Sequence, residues 1–380
     1  MGCSWQPYNS SLVCSSVQSH ENSLNGIERV DFSQLSSRHQ REATQSLSLD
    51  CNGAQVHFSS SSEGLRRGKY HHWPLLRSVK VTHCLDANLE DDSSVFHGLY
   101  AALFGGFRGH RRGSHNTSTV LTSVDLSDNG LSQRLFSRRR KHLEAECHEF
   151  GRGLKSLNLS GNAYVSLDSL SPTCLISLEV LNLRGNRVAV ASSLEGLSSL
   201  QELNLGSNGL SGLGTLPRSL KKLDLSENLL EAWPLAAAAS NLSHLTELYL
   251  QDNKLKSLDF GSGLDRLLVL NLSGNSLTGS IPGDQFSRLS QLVALDLSNN
   301  KVQYVGSDTF RGLESLRVLT LENNLIDTLE ADAFRDLINL RVLVLSHNKL
   351  SSLHPASFWK LSHLHRLSLD HNHLSALPRY

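Results

Sequence analysis

The chain has 380 residues, and its 36 Lys and Arg are balanced by 36 Asp and Glu. A formal net charge of zero removes the electrostatic case for nucleic acid or an anionic membrane as partner. No run of about 18 apolar residues occurs, so no transmembrane helix is expected.

The N-terminus, MGCSWQPYNSS, has neither a basic patch nor an apolar core, and so does not read as a secretory signal. Gln6 stands where N-myristoylation requires Ser or Thr. Residues 1–75 read as an N-terminal cap with a first irregular strand in QSLSLDCN (45–52). Residues 76–119 read as a degenerate repeat with a loop insertion. LLRSVKVTHC (75–84) keeps the periodicity with Cys84 in the slot used elsewhere by Asn, and 85–119 is Ser-, Gly-, Arg- and His-rich.

From residue 120 to 380 one pattern governs the chain. LxxLxLxxNxL occurs eleven times, with its Asn at 129, 162, 186, 208, 228, 253, 275, 300, 324, 348 and 372. The period is mostly 22–25 residues, with one short step of 20 and one long step of 33, where 132–153 expand a coil. Self-similarity at this period marks a leucine-rich repeat array. The LxL core is a short strand with alternate Leu side chains turned inward. One coil cannot bury its own apolar face and must stack on neighbours. The recurring Asn amide can bond backbone groups that would otherwise be orphaned inside. The expected fold is an α/β repeat: a leucine-rich repeat solenoid (horseshoe) with a concave parallel β-sheet and an irregular convex side.

The return half of each coil distinguishes subtypes. Phe286, Phe310, Phe334 and Phe358 recur every 24 residues before xxLxxL, predicting a stacked ring spine of the animal extracellular type. The plant-like string LTGSIP (277–282) runs into the same spine at Phe286, so it reads as a local coincidence with a tight turn at Pro282. The chain stops at LSALPRY in mid-coil, which reads as a piece of a longer array.

The six cysteines are Cys3, Cys14, Cys51, Cys84, Cys147 and Cys174. An even count without a CxxC pair favours disulfides over zinc, and buried free thiols are the alternative. Six cysteines allow fifteen connectivities. Proximity favours Cys3–Cys14; a Cys147–Cys174 bridge would pin the expanded coil and leave Cys51 with Cys84. Glycosylation sequons occur at Asn9, Asn116, Asn158, Asn241 and Asn271, although LNLS is itself a common repeat string. Asn158 and Asn271 fall in strands, where a glycan would block the concave face.

CSWQPYNSSLVC followed by NSLNGIERVDF resembles the N-terminal cap of arthropod Toll receptors, especially the long Toll branch. The run from Leu267 to Ile326 is similar to mid-ectodomain repeats of that branch, and Cys147 and Cys174 resemble an early Cys pair there. The resemblance implies the N-terminal part of a ligand-binding ectodomain on the extracellular face of the plasma membrane, serving innate immune or developmental signalling. Its partners would be cystine-knot, cytokine-like proteins or cell-surface proteins, with homodimerisation in the full receptor. The family's signal peptide, membrane span, further caps and signalling domain are absent from these residues. An adhesion or matrix repeat protein and a cytosolic repeat scaffold are the rival readings.

No GxGxxG, Walker loop, HExxH or GxSxG is present, so neither an enzyme nor a cofactor is expected. His363, His365, His371 and His373 do not converge in the repeat frame, so no metal is expected. His347 and His371 share a slot in adjacent coils; mutual repulsion on protonation would confer acid sensitivity, and a solvated ladder is the plainer reading. The basic stretches RRRK (138–141) and FRGHRR (107–112) read as solvated loops, with contact to an acidic ligand or glycosaminoglycan as the alternative. Binding is expected on the concave face. The candidates there are Tyr249, a row of Arg317, Arg341 and His365, and Arg366 and Asp370 beside it, because Tyr and Arg dominate interface energetics. Earlier coils present Asp125, Asn158, Asn182, Asn204 and Asp224.

Overall fold

The computed structural model describes residues 2–6, 11–15, 27–29, 46–50, 55–57, 77–83, 121–131, 153–167, 175–191, 194–233, 242–258, 260, 263–283 and 285–376. The chain divides into two compact units, Met1–Val188 and Ala189–Tyr380.

In the first unit the strands lie in the order Gly2–Gln6, Ser11–Ser15, Ser46–Asp50, Ser78–Thr82, Ser123–Asp125, Ser156–Asn158 and Val180–Asn182. The first pair is antiparallel, with Cys3 opposite Cys14, and the rest are parallel. The sheet therefore begins earlier than the periodicity suggests: Ser46–Asp50, read above as the first strand, pairs with Ser11–Ser15. Within the irregular segment, residues 77–83 keep the repeat frame. Its strand Ser78–Thr82 pairs in register with its neighbours, and the carbonyl of Val81 accepts a hydrogen bond from Asn129 Nδ2 at 2.7 Å. Cys84, Cys51, Cys147 and Cys174, the expanded coil 132–152 and both basic stretches lie outside the described residues.

In the second unit eight parallel strands follow one another: Glu202–Asn204, Lys222–Asp224, Glu247–Tyr249, Val269–Asn271, Ala294–Asp296, Val318–Thr320, Val342–Val344 and Arg366–Ser368. The central Leu residues of the first seven, such as Leu248, Leu295 and Leu319, are buried, and the flanking residues face out, as the two-residue strand period requires; Leu367, in the eighth, is exposed.

The Asn of each repeat ties coils together. Asn275 Nδ2 donates to the carbonyl of Leu250 in the preceding coil at 2.9 Å and to that of Leu272 in its own at 3.0 Å. Its Oδ1 accepts from Leu255 N–H at 3.0 Å. The same set recurs at Asn253, Asn300, Asn324 and Asn348. The residue just before each Asn turns the chain through the left-handed region. Asp128, Asp252, Asn299, Asn323, His347 and His371 all have φ between 53° and 57°, and Gly161, Gly185 and Gly274 take 64–68°. Ser207 and Glu227 take the same conformation at 50° and 54°. Asn, Asp, His and Gly tolerate it best, which accounts for most but not all of the slot's composition.

The return side is built as the Phe period predicts. Phe286, Phe310 and Phe334 are buried, and successive ring centroids through Phe358 lie 6.3, 5.9 and 6.1 Å apart. Among the described residues this side holds turns, short strands and one 3₁₀ helix, Pro355–Phe358, in place of α-helices. It is not wholly irregular: Thr278–Ser280, Lys301–Val305 and Thr328–Leu329 form a three-stranded parallel sheet. LTGSIP supplies its first strand, with a register shift beside Gly279 at φ 70°. Gln285 N–H closes the expected turn onto the Pro282 carbonyl at 3.3 Å.

Candidate functional site

The exposed face of the second unit's sheet is a grid fixed by backbone register. One outward column reads Glu202, Lys222, Glu247, Val269, Ala294, Val318, Val342 and Arg366 along the eight strands. The next reads Asn204, Asp224, Tyr249, Asn271, Asp296, Thr320, Val344 and Ser368. Four consecutive strands thus present an apolar residue in the first column, from Val269 to Val342, with Val344 beside them. Val318 is 37% exposed, and Leu268, just before its strand, 38%. This apolar strip was not singled out in the sequence. Its signal lay in the x positions of LLVLNL, LVALDL, LRVLTL and LRVLVL, which the inward Leu residues mask.

Arg317, Arg341 and His365 do form one row along the edge of the strip. The N–H of Arg341 donates to the Arg317 carbonyl and that of His365 to the Arg341 carbonyl, each at 2.8 Å. All three side chains are exposed, as is Arg366 in the outward column. Among the described residues no ion pair engages Arg317, Arg341 or Arg366. His365 is turned back, its Nδ1 lying against the His363 carbonyl.

Tyr249 lies on the far side of the strip, three strands before Val318, or roughly 14 Å at about 4.8 Å per strand. Its hydroxyl donates to Glu247 Oε2 at 2.9 Å. Lys222 Nζ lies 3.2 Å from the same oxygen and 5.3 Å from the Tyr249 ring centre. Burial raises the Tyr249 phenol above its ordinary pKa, and the Glu247 hydrogen bond and charge add to this. For Lys222, burial pulls the ammonium down, but the hydrogen bond and charge of Glu247, with Tyr249 and Glu202, outweigh it and leave the pKa raised. Tyr249 is therefore held by a charged neighbourhood, and the structure does not bring it into contact with the Arg row.

Asp370 sits on the rim after the last strand. It accepts a hydrogen bond from Ser346 Oγ at 2.6 Å, which holds its carboxyl below the usual range. His371 Nε2 is 4.0 Å away, and the His347 and His371 rings stack with centres 4.1 Å apart. Of the four histidines weighed for a metal, only His371 joins this cluster; its companions are His347 and Asp370.

The Asn and Asp residues of the earlier coils have a local duty. Asp125, Asn158, Asn182, Asn204 and Asp224 each accept, through Oδ1, the N–H of the residue two positions on, at 2.9–3.1 Å. Asn271 and Asp296 do the same. These are turn-forming contacts that residue type alone does not distinguish from free ligand-binding groups. The half-buried sequon residues Asn158 and Asn271 share this engagement, whereas Asn9, Asn116 and Asn241 lie outside the described residues.

No helix among the described residues is long and apolar enough to cross a membrane. The family profile described as Leucine rich repeat matches residues 152–210, 218–277, 265–326 and 314–374. Among curated proteins, the chain is 29% identical over 184 residues to Toll-like receptor 2 of Capra hircus, covering 47% of this chain and 22% of that protein. It is 35% identical to Podocan-like protein 1 of Mus musculus, covering 40% and 28%, and 32% identical to Lumican of Homo sapiens, covering 47% and 50%. The chain thus spans half or less of the length of these relatives. Among solved structures, a leucine-rich repeat protein of Leptospira interrogans superposes with a TM-score of 0.60 at 24% identity, covering 92% of this chain and 84% of that one; this similarity concerns the fold alone. A chain of the octameric complex of Latrophilin 3, Unc5D and FLRT2, in which FLRT2 carries the leucine-rich repeats, gives 0.54 at 26% identity, covering 66% and 76%. No enzyme family is indicated. The similarity reaches Toll-like receptor 2 but does not single out the arthropod long Toll branch. The profile covers more than half of the residues, and coil after coil carries the Asn ladder and the inward Leu positions it encodes; the chain belongs to the leucine-rich repeat family.

Proposed function

We propose that this chain is an extracellular protein-recognition module that binds its partner on the sheet face of the second unit. The observation that carries this reading is the apolar strip Val269, Ala294, Val318, Val342, edged by Arg317 and Arg341 and closed at its ends by Arg366 and by Glu247 with Lys222 and Tyr249. An apolar centre with a charged and aromatic rim is the anatomy of protein interfaces. The strip lies on hydrogen-bonded strands, so little conformational entropy is lost when a partner docks. Asp370 closes the rim at the last coil. A partner of complementary character would bring an apolar centre and acidic groups opposite the Arg row, as a cytokine-like ligand or a cell-surface ectodomain can.

The extracellular compartment is supported by the even cysteine count, the sequons and the register that sets Cys3 opposite Cys14. Similarity to Toll-like receptor 2 supports a receptor ectodomain, with innate immune or developmental signalling as its setting. The higher identities to Podocan-like protein 1 and Lumican favour, as a second reading, a leucine-rich repeat adhesion or matrix protein.

The test is a binding screen of the full chain, made multivalent, against displayed secreted proteins and ectodomains. The expected result is a partner whose binding weakens at least about tenfold in Arg341→Glu, because truncating or reversing an interface Arg costs about 2 kcal/mol or more. A partner bound equally by wild type, Arg341→Glu and Val318→Asp would place recognition elsewhere.

A further inference from the structure

We infer that His347, His371 and Asp370 form a binding site for a divalent transition metal on the rim of the sheet face. It lies apart from the apolar strip and is formed by two neighbouring coils. Among the described residues this is the one group of three metal-ligating side chains whose ligand atoms all lie within 4.8 Å of one another.

The backbone presents both imidazoles in the same way. Val342–Val344 pairs in register with Arg366–Ser368, so His347 and His371 occupy one slot in successive coils. Both take φ 54°, and their rings stack at 4.1 Å with an interplanar angle of 13°. The carboxylate is fixed as well. Ser346 Oγ donates to Asp370 Oδ1 at 2.6 Å, leaving Oδ2 on the His371 side, 4.0 Å from Nε2. His347 N–H donates to the Asp370 carbonyl at 3.0 Å, tying the two coils at the site. A hydrogen bond that orients a ligating carboxylate is the usual support of a metal site.

Two imidazoles and one carboxylate suit Zn²⁺, Cu²⁺ or Ni²⁺ better than Ca²⁺ or Mg²⁺, which take all-oxygen shells. Ligand atoms around tetrahedral zinc stand roughly 3.3 Å apart, given metal–ligand bonds of about 2.0–2.1 Å. The stacked rings aim their in-plane lone pairs nearly parallel, so to reach that geometry they must leave the stack and turn their edges toward one point. All three side chains are exposed, which leaves room for that rotation. Remaining positions on the metal go to water or to a partner's side chain. The site joins the last two described coils, so an occupied metal would staple one to the other.

The experiment is calorimetric titration of the full 380-residue chain with Zn²⁺ at neutral pH, repeated on His347→Asn, His371→Asn, Asp370→Asn and His363→Gln. Asn is the natural occupant of the same left-handed slot at Asn299 and Asn323, so the first two variants keep the fold, and circular dichroism verifies it. The expected result is a binding event lost or weakened more than about tenfold in each of the first three variants and unchanged in His363→Gln. Identical isotherms for wild type and the His347→Asn/His371→Asn double variant would overturn the proposal. So would a binding event abolished by His363→Gln, which would put the metal among other histidines.

Discussion

Asn275 offers the sharpest test of how the coils are held. Its amide donates to Leu250 O and Leu272 O, and its Oδ1 accepts Leu255 N–H. The two carbonyls are doubly served: Asn253 also donates to Leu250 O, and Asn300 to Leu272 O. Asn275 Nδ2 also donates to the Ser273 carbonyl at 3.2 Å, which the Asp252 N–H serves as well. Removing the side chain in Asn275→Ala therefore orphans one buried group, the Leu255 N–H, and thins three others. An orphaned buried N–H costs about 1–3 kcal/mol and each redundant bond about 0.5–1.5 kcal/mol, giving a loss of roughly 2.5–7.5 kcal/mol. Asn275→Asp keeps the acceptor but sets a carboxylate oxygen against three carbonyls in a largely buried place, so it costs more than Ala at pH 7. Burial and the carbonyls raise that carboxyl's folded pKa above its unfolded value. The protonated form restores one donor, so the stability of this variant is present below the unfolded pKa and lost as pH rises through the folded one. Urea unfolding of the three proteins at pH 4 and pH 7, with hydrogen exchange at Leu255, reads both effects. A deficit for Asn275→Asp that is the same at both pH values, each referred to wild type, would refute the ladder argument; so would full protection of Leu255 in Asn275→Ala.

Further outcomes follow from other parts of the molecule. Phe310→Ala removes a fully buried ring between Phe286 and Phe334 and is expected to cost about 3–5 kcal/mol in denaturant unfolding, with the neighbouring spine positions losing exchange protection first. Folding raises the pKa of both Lys222 and Tyr249 above their ordinary 10.5 and 10.0, so their contribution is intact below those values and fades as pH rises past them; Glu247→Gln should flatten this alkaline decline in stability. Glu330 and Asp370 are shifted the other way, by the Tyr304 and Ser346 hydroxyls, so their contribution holds above the ordinary values of 4.5 and 3.8 and is lost in acid. A non-reducing peptide map of secreted protein should link Cys3 to Cys14, which stand opposite one another in an antiparallel pair; two free thiols there would remove one support of the extracellular reading.

The repeat, its strands, the inward Leu positions and the Phe spine were legible because each is a fixed spacing, and stacking forces equal spacings into contact. Even 75–84 was legible, since His83 at φ 52° takes the pre-Asn conformation although a Cys follows it. Four things were not. The apolar strip was hidden because Val269, Ala294, Val318 and Val342 stand beside the Leu residues that define the core, and only the strand period separates the two faces. The turn-forming duty of Asp125, Asn158 and Asp224 was hidden because a carboxylate or amide offered to a ligand looks the same in sequence as one bonded to its own backbone. His347 was weighed with His371 as a ladder but not with Asp370, because only the Ser346 hydrogen bond brings that carboxylate to the pair. The three-stranded return sheet is likewise a matter of register between Thr278–Ser280 and Lys301–Val305, which composition does not encode.

A glycan wedge on the sheet face of the second unit shows most directly whether that face is the recognition surface. Val318→Asn creates the sequon Asn-Leu-Thr in the middle of the apolar strip, and Lys360→Asn creates Asn-Leu-Ser just after the 3₁₀ helix on the return side. Both positions are exposed, so each glycan is tolerated by the fold. Expressed in a glycosylating host and measured against the partner found by the binding screen, Val318→Asn is predicted to abolish binding while Lys360→Asn binds as wild type. Binding that survives the wedge at 318 and fails with the wedge at 360 would contradict the account and move the recognition surface to the opposite side of the repeats.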